Sequence, residues 1–260
     1  MAKSFIYPNA NLLTATIVDG GIDDSGGTPW DFAAGTPVTT NPERINDMSI
    51  KTAISGFSAV GGGDDDGCLQ IDLGSAQSCD VLAIYLDAAD TDDISLYGNS
   101  SNTQAGNLIG SINTFSEGWT ILSFNAASYR YWYIQALVGT INIKEIILGN
   151  KYDFALSPDF GDVVGKQFAN DIIISYGGDE YSKKRHDGKK IWTISWHNIP
   201  STMQVALEAV RDAVEGDYKK FIYYDETSYY WVRASADSFQ FKEISSGRHS
   251  GSAKLRQQLS

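Results

Sequence analysis

The stretch LQIDLGSAQSCDVLAIY, residues 69–85, holds the pattern that decides the fold of the first half of the chain. In LQIDL, apolar residues alternate with Gln70 and Asp72, which predicts a strand with one apolar and one polar face. The turn-like LGSAQS follows, and DVLAIYL at 80–86 is a nearly continuous apolar run typical of a central strand. Two strand patterns so close together, with no helical pattern between them, predict antiparallel β structure.

Similar short strand patterns continue to about residue 149. They are ISLYGN, WTILSFN, YRYWYIQALV and NIKEIILG, and turn-rich pieces such as DAADTDD and TFSEG lie between them. Short strands at this spacing are typical of an antiparallel sandwich or jelly roll. We therefore predict a mostly β chain whose first domain, residues 1–150, is a β-sandwich.

The net charge is distributed unevenly along the 260 residues. Residues 1–150 contain 17 acidic and 5 basic side chains, whereas residues 151–260 contain 15 of each, so the formal charge of −12 belongs to the first part. This asymmetry predicts a boundary near residue 150 and a second domain at 151–260. An acidic first domain would repel phosphates, so we expect no sequence-specific nucleic-acid binding.

Two cysteines, Cys68 and Cys79, flank the turn-like LGSAQS. Their spacing leaves a cross-strand disulfide open, but a reducing compartment would keep both as partly buried thiols, which is the interpretation we favour. Met1 to Asn11 lacks the apolar core of a signal peptide, and the chain has no run of 18 apolar residues. We expect synthesis in a cytoplasm and no membrane insertion.

Several segments of the first part, taken in order, resemble a discoidin-type (coagulation factor 5/8 type C) galactose-binding-like domain. The segments are NLLTAT at 11–16, LQIDLGSAQSCDVLAIY at 69–85, ISLYGNSS at 94–101, YRYWYIQ at 129–135 and IKEIILG at 143–149. Together they cover most of residues 9–149. The polar stretch 19–66 departs from the family pattern, although TPWDF at 28–32 is a candidate for the family's Trp-containing turn.

This resemblance implies a sandwich that binds sugars, lipids or proteins through loops at one end, or that serves as a spacer. Trp30, Tyr97 and Trp119 are the candidate rings for stacking on a sugar, and a place in the core is the plainer alternative for each. The family also implies a candidate calcium site at Asp64, Asp65 and Asp66. These three lack the alternating pattern of a calcium loop, so we favour solvated turns and expect no cofactor.

No motif in the sequence identifies an enzyme. The chain lacks the G-x-S-x-G, H-E-x-x-H and phosphate-binding glycine patterns, and no carboxylate pair stands out as a glycosidase couple. We therefore expect no catalytic residues.

The second part contains one helical pattern, PSTMQVALEAVRDAVEG. Apolar residues at helical spacing predict a helix over about 202–215, with Ser201 or Thr202 as its cap and Gly216 as its left-handed end. The expected buried residues are Met203, Leu207, Val210 and Val214. Before it, IWTISWHNI predicts a strand in which Trp192, Ile194, Trp196 and Ile199 interleave with Ile191, Thr193, Ser195 and Asn198, so that one face has two tryptophans and an isoleucine.

The order of elements after about residue 158 resembles the minor tail protein M of phage lambda and the distal tail protein family. The matching segments are YGGDEYSKKR at 176–185, KIWTISW at 190–196, AVEGDYKKFIYYD at 213–225, YYWVRASADSFQF at 229–241 and SGSAKLRQQL at 250–259. The resemblance implies a virion protein of a tailed phage, assembled in the host cytoplasm into a ring, commonly six-fold, at the tail tip. The ring would join the tail tube to the tail hub.

In this interpretation the sandwich faces outward and contacts host surface polysaccharide, and a carbohydrate-binding adhesion module without a ring is the alternative. A closed ring needs contacts between unlike surfaces of identical subunits. Tyrosines in FIYYDETSYYWV are the candidates for such contacts, with their own core as the alternative. They are Tyr223, Tyr224, Tyr229 and Tyr230.

A basic stretch, GGDEYSKKRHDGKK, lies between two predicted strands and therefore predicts a hairpin loop with Gly177, Gly178 and Gly188 as turn residues. Lys183, Lys184 and Arg185 are candidate contacts with an acidic neighbour. A solvated hairpin tip is an equally good explanation, and one basic loop in a charge-neutral domain does not favour nucleic acid.

Overall fold

The computed structural model describes residues 3–9, 12–23, 31–34, 42–54, 67–91, 93–102, 106–136, 141–159 and 163–258. The chain divides into two compact units. The sandwich unit is Ile6–Lys151, and the C-terminal unit is Tyr152–Leu259 together with Met1–Phe5. The division falls one residue after the predicted boundary, and the first five residues join the second unit instead of the first.

The sandwich unit is built from antiparallel strands in the order β6-β5-β7-β4-β8, with β2 beside β4 and β3 beside β2. The strands are β1 (Ser4–Pro8, which crosses the unit boundary), β2 (Thr16–Asp23), β3 (Asp31–Ala34), β4 (Gly67–Leu86), β5 (Ile94–Asn99), β6 (Asn107–Ile112), β7 (Gly118–Ala136) and β8 (Glu145–Asp153). Two short 3-10 helices, Leu12–Thr14 and Pro42–Asn46, lie between them.

The long strands β4 and β7 pair over their whole length and bend together in the middle. Cys68–Asp72 pairs with residues 131–135, the register is irregular between Asp72 and Gln77, and Val81–Leu86 pairs with residues 118–123. The expectation that LGSAQS is a turn between two strands is therefore wrong. Both halves keep β7 as their partner, so the chain bends at this irregularity, where Gly74 has a φ of 76°, without reversing direction.

This bend creates the sandwich, because the two halves of β4 have different outer neighbours. The first half pairs with β2 and the second half pairs with β8. Leu69 and Ile71 from the first half share one core with Leu82 and Ile84 from the second half. Strands that switch sheets at an irregularity are one way to form the corner of a β-sandwich. The predicted mostly β fold with an antiparallel sandwich is confirmed.

The two cysteines lie on the same strand and do not form a disulfide. Cys68 pairs with Gln135 and Cys79 pairs with Ala127 on β7, and both thiols are buried. A cross-strand bridge is excluded because no chain reversal separates the two residues. Burial raises the pKa of the Cys79 thiol to about 12, so this thiol stays protonated at neutral pH.

The strands of the C-terminal unit pair in the order β11-β12-β14-β10-β9, with β13 also paired to β14. Its elements are β9 (Val163–Ile174), β10 (Glu180–Pro200), α1 (Ser201–Ala213), β11 (Phe221–Tyr224), β12 (Tyr229–Ala234), β13 (Gln240–Ser245) and β14 (Arg248–Gln257). The predicted apolar face of β10 is confirmed, since Trp192, Ile194 and Trp196 are all buried. Ile199 is also buried, after a register shift between Trp196 and Ile199. None of the helices in the described part of the chain is both long and apolar enough to span a membrane.

Helix α1 begins and ends one or two residues before the predicted bounds. Met203, Leu207, Val210 and Val214 are buried as predicted. The predicted cap is wrong: Pro200 is the N-cap residue and no side chain caps it, because the helix already begins at Ser201.

The helix ends through two consecutive left-handed residues, Glu215 with a φ of 52° and Gly216 with a φ of 69°. The Gly216 N–H donates to the Arg211 carbonyl at 2.9 Å, and the Glu215 N–H donates to the Asp212 carbonyl at 3.2 Å. This is the Schellman arrangement, which satisfies the last carbonyls of a helix. The predicted left-handed Gly216 is confirmed, and Glu215 shares that conformation.

Candidate functional site

The first candidate site is a two-stranded hairpin, residues 163–190, which we call the arm. Residues 166–174 of β9 pair with residues 180–190 of β10, and in the described chain neither segment has a second partner strand. From Ile191 onward β10 also pairs with β14. The arm is thus an extension of the sheet by two strands alone, an arrangement that is marginal in water unless something else covers it.

The turn of the arm lies at Ser175–Asp179, not at the basic residues. The Ser175 N–H donates to the Asp179 carbonyl at 2.8 Å, and the Gly178 N–H donates to the Ser175 carbonyl at 2.9 Å. Gly177 and Gly178 are turn residues as predicted. Gly188 instead lies in β10, where an added Cβ would approach the Phe168 ring to 2.6 Å.

The arm exposes an unusual amount of apolar surface. The exposed side chains, with their fractional exposure, are Val164 (59%), Phe168 (58%), Ile172 (65%), Ile173 (62%), Ile174 (63%), Tyr176 (111%) and Tyr181 (62%). Strand alternation places Val164, Phe168, Ile172 and Ile174 on one face, which we call the apolar arm face. Ile173 lies opposite Tyr181 on the other face. Clustered exposed apolar side chains mark interaction surfaces.

The predicted basic contacts lie on strand β10 and are largely neutralised within the arm. Lys184 forms an ion pair with Asp187, and Arg185 forms an ion pair with Asp171. Lys183 lies directly opposite Asp171 in the register. The residues that distinguish the arm are therefore its exposed isoleucines.

The four tyrosine candidates divide into one core residue and three partly exposed residues. Tyr223 is 1% exposed and packs against Phe5 and Trp192, so the expectation that it contacts another subunit is not supported by its position. Tyr224 and Tyr229 stack on each other with ring centroids 4.6 Å apart. The Tyr230 hydroxyl accepts a hydrogen bond from Lys190 at 2.7 Å.

The second candidate site is a set of polar contacts around the irregular part of β4, which we call the bend cluster. It consists of Asp72 at the irregular part of β4, Tyr129, Arg130 and Tyr131 on β7, and Asn107 at the start of β6. Arg130 donates two hydrogen bonds to Asp72, at 2.8 and 2.9 Å, and lies over the Tyr131 ring at 4.7 Å. The Asn107 amide donates to the Tyr129 hydroxyl at 3.1 Å.

The charges of this cluster stabilise each other. The hydrogen bonds from Arg130 hold the pKa of the Asp72 carboxyl below its usual value, against the opposing effect of burial. The same contact raises the pKa of the Arg130 guanidinium. Deeper on the same face, Gln70 donates to the Tyr133 hydroxyl at 3.0 Å, and burial raises the pKa of that phenol to about 12.

The predicted sugar-stacking rings do not stand out in the described structure. Tyr97 is partly buried against Cys68, Tyr131 and Tyr133. Trp119 is 7% exposed and packs edge-on against Tyr85, so neither ring is openly presented. Trp30 lies outside the described residues, and so do Asp64, Asp65 and Asp66. The calcium interpretation therefore stays a prediction.

Within the described residues, no group of three or more His, Cys, Asp and Glu side chains could hold a metal ion. The Ser201 hydroxyl lies 3.2 Å from the His249 Nε2 atom, a contact of the kind that activates a nucleophile. Among described residues no carboxylate orients this histidine, and the pair is at the surface, so it lacks the third member of a triad.

Replacing Arg130 by Gln is expected to lower the melting temperature of the sandwich unit at neutral pH. The pKa of Asp72 is lower in the folded state than in the unfolded state. The contact with Arg130 therefore stabilises the fold fully at pH values above the unfolded-state pKa, and this stabilisation is lost as the pH falls through the folded-state pKa. The difference from wild type should therefore shrink below about pH 4. Thermal melts from acidic to neutral pH measure it. Arg44→Gln, at an exposed position, is the control, and a difference that persists in acid would contradict the assignment.

No family model matches the sequence, and no curated protein matches it. Solved structures similar to the chain include three carbohydrate-binding modules. Chitosan-binding module 1 of a Paenibacillus sp. IK-5 chitosanase/glucanase is 17% identical, with 54% of this chain and 97% of that chain covered and a TM-score of 0.39. Module 2 of the same enzyme, solved with chitotriose, is 16% identical, with 54% and 98% covered and a TM-score of 0.38.

The third, CpGH89CBM32-5 from Clostridium perfringens, was solved with GalNAc-β-1,3-galactose. It is 12% identical, with 54% of this chain and 99% of that chain covered and a TM-score of 0.40. At these TM-scores the likeness carries no argument about this chain, and the β-sandwich follows from its own strand registers. The distal tail resemblance of the C-terminal unit stays a prediction.

Proposed function

We propose that this chain is a structural protein that associates with copies of itself through the arm. The observation that carries the proposal is the exposed apolar surface of the arm, above all Ile172, Ile173 and Ile174. Large apolar side chains on both faces of a two-stranded hairpin are not buried by the fold of their own chain. They are stabilising only when a further surface removes them from water.

The edge of β9 supports the same proposal. In the described chain β9 pairs with β10 alone, so its outer backbone groups are open to another strand. Proteins usually protect such edges with charges, prolines or short strands, whereas β9 has 12 residues and ends in three isoleucines. The occupant we propose is a second copy of this chain. The charge of −12 carried by residues 1–150 would attract an arm that contains six basic and four acidic side chains.

The finer form of this proposal is a tail-tip ring of a tailed phage. Copies of the chain, commonly six, would close into a ring between the tail tube and the tail hub, with the sandwich unit directed toward the host surface. It rests on the sequence resemblance of residues 158–260, and the virion location is part of the same proposal.

Light scattering of the purified chain over a concentration range tests the proposal. We expect a closed multiple of the 28.4 kDa subunit mass and ring-shaped particles in electron micrographs. A chain that stays monomeric at high concentration, alone and with isolated tail tubes, would count against self-association through the arm.

A second candidate function is carbohydrate binding by the sandwich unit. The observation that favours it is the bend cluster, where amide, phenol and guanidinium groups of β6 and β7 lie near the irregular part of β4. Planar polar groups of this kind donate to and accept from sugar hydroxyls. The acidic residues of 1–150 would also attract a cationic amino-sugar polymer.

Titration of the chain with chitotriose and with GalNAc-β-1,3-galactose tests this second function. We expect saturable binding that Tyr129→Phe weakens about threefold to tenfold, through loss of one hydrogen bond. Tyr176→Phe, on the arm, removes a hydroxyl elsewhere and should leave binding unchanged. If neither sugar binds saturably, the sandwich unit is better described as a spacer.

A further inference from the structure

A cleft of about 370 Å³ lies in the C-terminal unit, apart from the arm. Its polar lining consists of Asp217, Arg233, Ser235, Arg256 and Gln258, and two alanines complete it. The volume is at the lower end of the range of small-molecule sites, which is about 300–1,000 Å³. The cleft is thus large enough for one compact ligand.

The two arginines of the cleft lie directly opposite each other. Arg233 on β12 pairs in register with Arg256 on β14, and both side chains are exposed. Like charges at directly opposite positions destabilise a strand pair. Leu255, the strand neighbour of Arg256, is fully buried, so the two paired arginines share the opposite, exposed face.

No ion pair within residues 163–258 relieves this repulsion. The ion pairs described in that range include those of Lys184, Arg185, His197, Arg211 and Lys219, and none of them involves Arg233 or Arg256. Two arginines at directly paired positions that line one cleft can both donate to a single external anion. A carboxylate matches the planar fork of a guanidinium in bidentate fashion.

We propose that this cleft binds a small carboxylate-bearing, hydroxyl-rich molecule about the size of one sugar acid. The arginine pair holds the carboxylate. Asp217 accepts hydrogen bonds from hydroxyl groups on the other side of the ligand, and Ser235 and the Gln258 amide supply further polar contacts. Asp217 also disfavours a multiply charged anion such as phosphate, because its own charge repels such a ligand.

Isothermal titration of the full chain with D-glucuronate, D-glucose and inorganic phosphate tests the proposal. We expect glucuronate to bind saturably, and more tightly than either of the others. Arg233→Gln and Arg256→Gln should each weaken glucuronate binding by about tenfold or more, since each removes charge-assisted hydrogen bonds. Their melting temperatures without ligand should equal or exceed that of wild type, because the repulsion is gone.

The matched control is Lys242→Gln, which removes one positive charge from an exposed position on β13. It should leave the affinity for glucuronate unchanged within about twofold, because solvent and salt screen an exposed charge outside the cleft. The proposal is overturned if the arginine variants bind glucuronate like wild type, or if the control loses as much affinity as they do. Phosphate binding that exceeds glucuronate binding, and depends on the two arginines, would overturn the carboxylate assignment.

Discussion

A variant carrying Ile172→Lys and Ile174→Lys is expected to be a monomer at concentrations where the wild-type chain is oligomeric. Both residues lie on the apolar arm face and are more than three-fifths exposed, at 65% and 63%. Central apolar contacts of an interface commonly contribute about 2 kcal/mol each. Two charged replacements should therefore weaken association roughly 100- to 1,000-fold. Light scattering across a dilution series measures the shift.

The control for this experiment is Val205→Lys, which replaces an equally exposed apolar residue, at 60%, on helix α1. It adds one positive charge to the same unit, where the arm variant adds two, and should leave the oligomer intact. Because all three positions are exposed, the variants should melt at the wild-type temperature within a few degrees. If the arm variant still forms the wild-type oligomer, the arm is not part of the interface.

Trp132→Ala is expected to reduce the free energy of unfolding of the sandwich unit by about 3–5 kcal/mol. The Trp132 ring is 0% exposed and packs against Phe124 and Tyr129, with centroids 5.9 and 5.6 Å away. Its Nε1 group also donates to the Tyr129 carbonyl at 3.2 Å. Truncation leaves a cavity in the shared core and removes this hydrogen bond. Calorimetric melts should show a transition lowered by about 10 °C or more.

Leu108→Ala provides the comparison, because Leu108 belongs to the same unit and is 59% exposed. This substitution should change the free energy of unfolding by no more than about 0.5 kcal/mol, as ordinary surface substitutions do. Equal melting temperatures for the two variants would contradict the assignment of Trp132 to the sandwich core. The pair of variants thus tests the fold itself, independently of what either unit binds.

Local periodicity predicted much of the fold. The alternation around Gln70 and Asp72, the buried face of β10 and the buried positions of α1 all follow from side-chain direction within one element. A period of two residues or of about 3.6 residues is determined by the backbone alone. These features could therefore be read before any partner strand was known.

The sequence pattern was less informative about where an element continues or turns. LGSAQS has the composition of a turn, yet β4 passes through it because both of its halves pair with β7. The basic residues of the arm similarly looked like a loop, whereas Lys183 and Lys184 pair with Asp171 and Asn170 in a ladder. Turn composition shows where a chain is able to reverse, but pairing with another strand decides whether it does.

The sequence by itself determined that this protein is mostly β, with an acidic first part, one amphipathic helix and a hairpin in its second part. Only the tertiary structure decided that Tyr223 is buried while Ile172 is exposed, and that Arg233 lies opposite Arg256. The physical reason is that composition and periodicity depend on neighbours along the chain. Burial and the meeting of like charges depend on residues that are distant in sequence and adjacent only after folding.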